Sequence, residues 1–396
     1  MIEEPEEEMT MQPNIKIVAA ALSLAALAPN VGATNGDHML GLSAIQNGMA
    51  GAVVAAPQDA ATVLVNPAGM ALLDMKDVRF DLGLGFLNPL RRVNGNDSDS
   101  KWYMMPAGAV AFRVDDRLVL GMGLGGLSGM GVDFADTAAA PGNQAVVTTK
   151  QFFKVAPGFA YRVGDAVALG ATLNLNYQSL ALATPAFVLP QNQVFGFGVT
   201  LGMTWKISPG WQLGAAWSSK QDMEKFKWNT TAGRFSMNMD APQTVTVGLA
   251  WRPAPGLLVE GDVKRIMFSD VLDNVKMKRP AGYAGAVPAS LRFGWKDQTA
   301  YALALRQDIG EKTQVRIGVN HGESPIDPKD VNANLGSVAV VENHLAIGLS
   351  RKLSDKVTGS VSYVHAFNNK IKSSVAPHNV IELKQNIINF QISYQY

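Results

Sequence analysis

The chain is expected to fold as an all-β protein, an antiparallel transmembrane β-barrel of about fourteen strands with an N-terminal hatch, or plug, in the lumen. Three observations predict it. From Glu382 to Tyr396 the side chains alternate almost without error: Tyr396, Tyr394, Ile392, Phe390 and Ile388 share one face, and Gln395, Ser393, Gln391 and Asn389 the other. A strand has a side-chain period of two, so this tract has one apolar and one polar face. Charged residues are only 17 % of the chain, against roughly 25 % in soluble domains, as when an outward apolar set dilutes an inward polar one. Links between candidate strands also alternate strictly between short and long, which a soluble sandwich has no reason to do.

Residues 1–33 read as a leader and signal peptide. The apolar run Ile17 to Ala28 follows Lys16 and is closed by Val31-Gly32-Ala33, too short for a spanning helix of about 20 residues. Cleavage is expected before Thr34. The acidic stretch Glu3 to Glu8 has the wrong sign for a signal n-region, so translation is expected to begin at Met9 or Met11. No second such run follows, so the mature chain is either soluble in the periplasm or crosses as strands. A formal net charge of +1 makes no case for nucleic acid. The absence of cysteine rules out disulfides and thiolate metal ligands.

Residues 34–77 precede the first wall strand and are rich in Gly and Ala. Gly41 to Gly51 reads as closely packed small-residue structure. Asn66, Pro67 and Ala68 read as a helix start, with Asn66 as cap and Pro67 at the first position. A barrel of this size leaks unless it is blocked, so the segment is expected as the hatch; a periplasmic extension is the alternative.

Residues 78–396 form the barrel. Strands are expected near 78–88, 102–114, 117–127, 151–163, 167–181, 193–206, 211–219, 242–252, 257–269, 299–308, 314–322, 342–352, 357–369 and 382–396. Gly, Pro and Asp mark the tight turns, such as Gly164-Asp165 and Ser208-Pro209-Gly210. The long links are 89–101, 128–150, 182–192, 220–241, 270–298, 323–341 and 370–381. With a periplasmic C-terminus, all of them lie outside the cell. Trp205, Trp211, Trp217, Trp251, Tyr394 and Tyr396 sit at strand ends, as an interfacial girdle would.

The order of Gly48-Met49-Ala50-Gly51-Ala52, Ala56-Pro57-Gln58-Asp59-Ala60, Asn66-Pro67-Ala68-Gly69-Met70, Ala241 to Gly248, Val259 to Val263, Arg316 to Asn320 and Ser324-Pro325-Ile326 resembles the FadL-type outer-membrane transporters of long-chain fatty acids and aromatic hydrocarbons. The terminal Tyr396 departs from the commoner Phe, and the long loops show no usable likeness. The resemblance implies a monomer in the outer membrane of a Gram-negative cell. Its partners would be hydrophobic small molecules, with lipopolysaccharide and membrane lipids around it. It implies capture outside, passage into the lumen and lateral release through a gap made by a kinked third strand. Here that strand carries Gly123, Gly125, Gly126, Gly129 and Gly131, with Pro106 on its neighbour; glycine permits bends and bulges. The alternative is that these glycines only let the plug approach the wall.

Other candidates are thin. Asp81, Glu260, Asp262, Lys264, Arg306 and Arg316 are expected to face inward, pairing with each other or the plug, with Arg306 and Arg316 as candidates for a ligand carboxylate. Phe226, Trp228, Phe235, Met267 and Phe268 are candidates for an apolar capture surface. Lys220, Lys225, Lys227, Lys276, Lys278 and Arg279 are loop cations open to anions or lipopolysaccharide phosphates. No histidine has a nucleophile setting or metal-ligand spacing, so no enzyme, metal or cofactor is expected. A general diffusion porin or an adhesive barrel is the competing class; a porin would leave the lumen unplugged.

Overall fold

The computed structural model describes residues 35–135 and 146–396; the leader and signal peptide lie outside the described residues. Fourteen strands build the wall. They are β1 (Val78–Val93), β2 (Tyr103–Arg113), β3 (Leu118–Asp133), β4 (Val147–Arg162), β5 (Val167–Ala183), β6 (Val188–Ser208) and β7 (Trp211–Ser218). They continue as β8 (Thr244–Ala254), β9 (Leu257–Ile266), β10 (Gln298–Ile309), β11 (Thr313–Gly322), β12 (Asn343–Lys352), β13 (Val357–Lys372) and β14 (Val380–Gln395). Each pairs antiparallel with its sequence neighbours, and β1 pairs with both β2 and β14, which closes the barrel. Closure leaves no open edge, the condition for strands in lipid.

The alternation read from the sequence is the wall's inside and outside. On β14, Phe390 and Ile392 are 51 % and 52 % exposed, while Gln391 and Ser393 are 3 % and 5 %. Trp205, Trp211 and Trp251 gather near the short turns, and the Trp211 and Trp251 rings stack at 5.4 Å, as an interfacial belt requires.

The expected strands all form, but several run further outward than their pattern. Only residues 184–187 separate β5 from β6, and 373–379 separate β13 from β14, so the expected long link 182–192 is largely strand and 370–381 is strand at both ends. Alternation marks a strand only where one face meets hydrocarbon; beyond that belt the ladder continues through Gln191, Asn192 and Gln193 with no pattern to reveal it. Links 220–241 and 270–298 are not plain loops either. They contain Phe226–Thr230, Gly233–Met237, Asn274–Lys278 and Ser290–Arg292, which pair in that order as a separate four-stranded sheet.

Residues 35–77 fill the lumen. They include α1 (Ala44–Gly48), whose first turn is capped by Ser43 Oγ accepting from Gln46 N, and two 3-10 turns, Ala60–Leu64 and Pro67–Leu72. Small residues permit close contact: a Cβ on Gly48 would lie 3.0 Å from the Gly348 backbone of β12. Wall carboxylates hold the plug by its backbone. Asp262 Oδ2 accepts from Val53 N and Val54 N at 2.9 and 3.0 Å, and Glu260 Oε1 from Ala55 N and Ala56 N at 2.7 and 2.9 Å. Asp81 Oδ2 accepts from Ala60 N at 2.7 Å. Irregular backbone at membrane depth leaves N–H donors that must find acceptors within the protein, and these carboxylates supply them.

Candidate functional site

The wall is interrupted between β2 and β3. Their ladder runs from Arg113↔Val119 to Ala107↔Gly125 and stops. Beyond it, Tyr103 to Pro106 pair only with β1, from Leu87↔Tyr103 to Leu84↔Pro106. Pro106 has no N–H to donate, a reason for a ladder to end there. On the other side, β3 bulges: its register against β4 shifts between Gly126 and Ser128. Leu127 O and Gly129 N bond to the plug, accepting from Met39 N at 2.9 Å and donating to Asp37 O at 3.3 Å. Further out the wall is stitched again, by Tyr103 Oη donating to Gly131 O at 3.3 Å and Asp99 N to Asp133 O at 2.9 Å. The result is a bounded window.

The six glycines of β3 divide by role. A Cβ on Gly123 would sit 2.6 Å from Val63 and 2.7 Å from Leu64, so Gly123 lets the plug approach, as does Gly121 beside Met70. Gly125 forms the last rung and has room, with its nearest neighbours at 3.7 Å. Gly126 and Gly129 flank the bulge, facing the Phe153 ring at 3.3 Å and Lys150 O at 3.2 Å. Gly131 lies against Thr148 O at 2.7 Å, at the outer rim.

Two cavities meet at this window. One of about 70 Å³ lies in it, lined by Met39, Leu87, Arg91, Tyr103, Met105 and the Gly126 to Met130 bulge among others. The other, about 220 Å³, lies outward beneath the loops, lined mainly by apolar groups including Leu180, Phe187, Leu272, Phe293, Trp295 and Leu335. Met130 and Lys150 line both. Lys150 Nζ is 2.6 Å from Asp37 Oδ2, both side chains being buried. Asp37 also meets His38 Nδ1 at 3.1 Å, and the His38 ring packs edge-on to Phe268 at 5.4 Å. The start of the plug is thus tied by an ion pair and a ring contact at the junction of the two cavities. Arg91 differs: it is 4 % exposed, its Nε and Nη1 have no hydrogen-bond partner, and its guanidinium lies 5.7 Å from the Tyr103 ring.

The remaining sequence candidates fall elsewhere. Asn66, Pro67 and Ala68 dock the plug on β5 and β6. Asn66 Nδ2 donates to Val54 O at 2.7 Å and Met203 O at 3.0 Å, rather than capping its own turn. Phe226, Trp228 and Phe235 lie on the buried face of the outer sheet. Phe268 packs on Trp295 at 5.0 Å, and Met267 Sδ accepts from Gln243 Nε2 at 3.1 Å. Arg316 is taken up by Gln58 of the plug, Ser350 and Gln314. Arg306 lies 3.4 Å from Asp308 toward the short turns, lining a polar cavity of about 520 Å³. Neither arginine is brought together with the aromatic candidates. Sequence reading passed over Asp37, Arg91 and Lys150; the signal available was Lys150 and Lys154 at even spacing on an apolar strand.

A family model described as outer membrane protein transport protein (OMPP1/FadL/TodX) matches residues 27–337. No curated protein matches the sequence. Among solved structures, a FadL homologue of Pseudomonas aeruginosa superposes with a TM-score of 0.76 at 13 % identity, covering 91 % of this chain and 99 % of that one. The Pseudomonas putida toluene transporter TodX gives 0.73 at 17 % identity over 92 % and 100 %. The Ralstonia pickettii toluene transporter TbuX gives 0.69 at 18 % over 90 % and 98 %.

Proposed function

Because the chain belongs to the OMPP1/FadL/TodX family of outer membrane transport proteins, we propose that it admits small hydrophobic compounds and releases them sideways through the β2–β3 window. The protein is an outer-membrane transporter, not an enzyme. One observation carries the lateral route: the ladder stops at Ala107↔Gly125 and the bulge beyond it bonds to the plug instead. A solute in the outer cavity reaches this opening past Met130 and Lys150. Straight passage is closed by residues 35–77, the described part of the hatch. Each Å² of apolar surface removed from water is worth roughly 25 cal/mol, so a dry path past the saccharide layer needs no energy source. The transporter works as a monomer, in contact with lipopolysaccharide and membrane lipids.

The outer cavity favours neutral hydrocarbons of one or two rings. A dry cavity of about 150 Å³ accommodates benzene, and this one is about 220 Å³. Lys150, the one charged residue among its lining, is already neutralised by Asp37. The solved toluene transporters point the same way. A second reading, carboxylate-bearing amphiphiles such as long-chain fatty acids, rests on the unpartnered donors of Arg91 in the window.

The test is uptake of labelled toluene and oleate by cells carrying Gly126→Val/Gly129→Val, whose added Cβ atoms meet the Phe153 ring at 3.3 Å and the Lys150 carbonyl at 3.2 Å and so require each to give by a few tenths of an ångström. β-Branched residues there favour continuous strand. Uptake should cease while the barrel keeps its heat-modifiable migration. Unchanged uptake removes the lateral route. Arg91→Leu separates the substrates, because only oleate transport should fall.

A further inference from the structure

The four-stranded sheet over the barrel mouth is two-faced. Its inner face, Phe226, Trp228, Phe235, Met237, Val275 and Met277, is buried in the outer hydrophobic cluster. Its other face follows from register. Lys227 stands opposite Ser236, which stands opposite Lys278; Asn229 opposes Arg234; Lys276 opposes Ser290; and Asn274 opposes Arg292. Directly opposed residues share a face, so this face carries Lys227, Arg234, Lys276, Lys278 and Arg292 with Asn and Ser between them. It carries no carboxylate. All five cations are exposed, and among the described residues none forms an ion pair; Arg234 Nε only donates to Asn229 Oδ1 at 2.9 Å. The acids nearest in sequence, Glu224 and Asp273, lie past the strand ends.

We propose that this outward cationic face docks the phosphorylated core of lipopolysaccharide. Strands lie about 4.8 Å apart and alternate residues about 7 Å apart, so the cations form a grid with several charges within one Debye length. A single carboxylate would engage one point of that grid. An oligosaccharide carrying several phosphates engages many at once, and the gain multiplies. The unbroken positive field over an apolar seal is complementary to the polyanionic layer that meets the outer side of the membrane. This inference rests on the outer-membrane reading and assigns its partner a surface. Docking there would brace the loops that roof the outer cavity.

The experiment uses the full mature chain in detergent micelles, with rough-type lipopolysaccharide and the same molecule stripped of its phosphates, binding being followed by microscale thermophoresis across a salt series. Each cation beside an anionic surface contributes about fivefold at moderate ionic strength. Lys227→Gln/Arg234→Gln/Lys276→Gln/Lys278→Gln/Arg292→Gln should therefore weaken binding by about a hundredfold or more and flatten its salt dependence. Lys227→Arg/Lys276→Arg/Lys278→Arg should bind like wild type, which shows that charge and not lost folding is being read. Equal affinity of the neutralised variant, or equal binding of the phosphate-free molecule, overturns the proposal. Uptake measured alongside keeps the two readings apart: absent toluene and oleate uptake in wild type would sink the transport assignment and leave the binding comparison standing.

Discussion

Replacing two wall carboxylates should open the lumen. In Glu260→Ala/Asp262→Ala, four consecutive N–H groups, from Val53 to Ala56, lose their acceptors. A buried donor left unpaired costs about 1–3 kcal/mol, so the set costs roughly 4–12 kcal/mol, less whatever incoming water returns. That is comparable to the whole stability of a typical domain, about 5–15 kcal/mol. What then still ties residues 50–56 to wall side chains is Gln212 Nε2 donating to Ala55 O and Asn320 Nδ2 donating to Ala50 O at 3.2 Å, two bonds to carbonyls that leave the four N–H groups without acceptors. Single-channel recording in planar bilayers should show wild type nearly silent and the double variant conducting in long bursts. Glu260→Gln/Asp262→Asn keeps an acceptor oxygen at each position and should stay close to silent. A double alanine variant as quiet as wild type would refute the reasoning, because the plug would then be held by something other than these carboxylates.

Other substitutions probe the same region. Lys150→Met leaves Asp37 buried without its partner, a loss of about 3–5 kcal/mol; hydrogen exchange at residues 37–42 should accelerate, and Asp37→Leu added to it should restore protection. Gly123→Val drives a methyl into Val63 and Leu64, so its melting temperature should fall by several degrees, whereas Gly125→Val should melt like wild type. Leu335→Trp fills part of the outer cavity and should slow toluene uptake without altering bilayer conductance.

How much of this was legible beforehand depends on what each residue faces. Strands were legible where Ile388, Phe390 and Ile392 meet hydrocarbon and Asn389 and Gln391 do not. The outer halves of β5 and β6 were not, since there Leu180, Leu189 and Val194 turn inward into the outer apolar cluster, and the polar-in, apolar-out alternation of the hydrocarbon belt no longer holds. The sheet in links 220–241 and 270–298 was hidden for a different reason. Its strands come from separate segments, and each is too short to show a period without its partner. The glycine run of β3 was visible, but its division between plug contact at Gly123 and window at Gly126 and Gly129 is a tertiary fact. So is the Lys150–Asp37 pair, whose members are 113 positions apart.

Tyr396 closes the wall against the start of β1. Asp77 N and Val78 N donate to Tyr396 O at 2.6 and 3.1 Å, and Tyr396 N donates back to Val78 O at 2.9 Å; the Lys356 ammonium lies 3.9 Å from its ring. During biogenesis the first strand therefore waits, unzipped, until Tyr396 and the strand before it arrive beside it. The preceding segment hangs from that waiting strand at the periplasmic rim, so it has to be tucked in before the seam shuts or slip in afterwards from below. A truncation of even one or two terminal positions should thus harm assembly more than a larger excision from an outer loop.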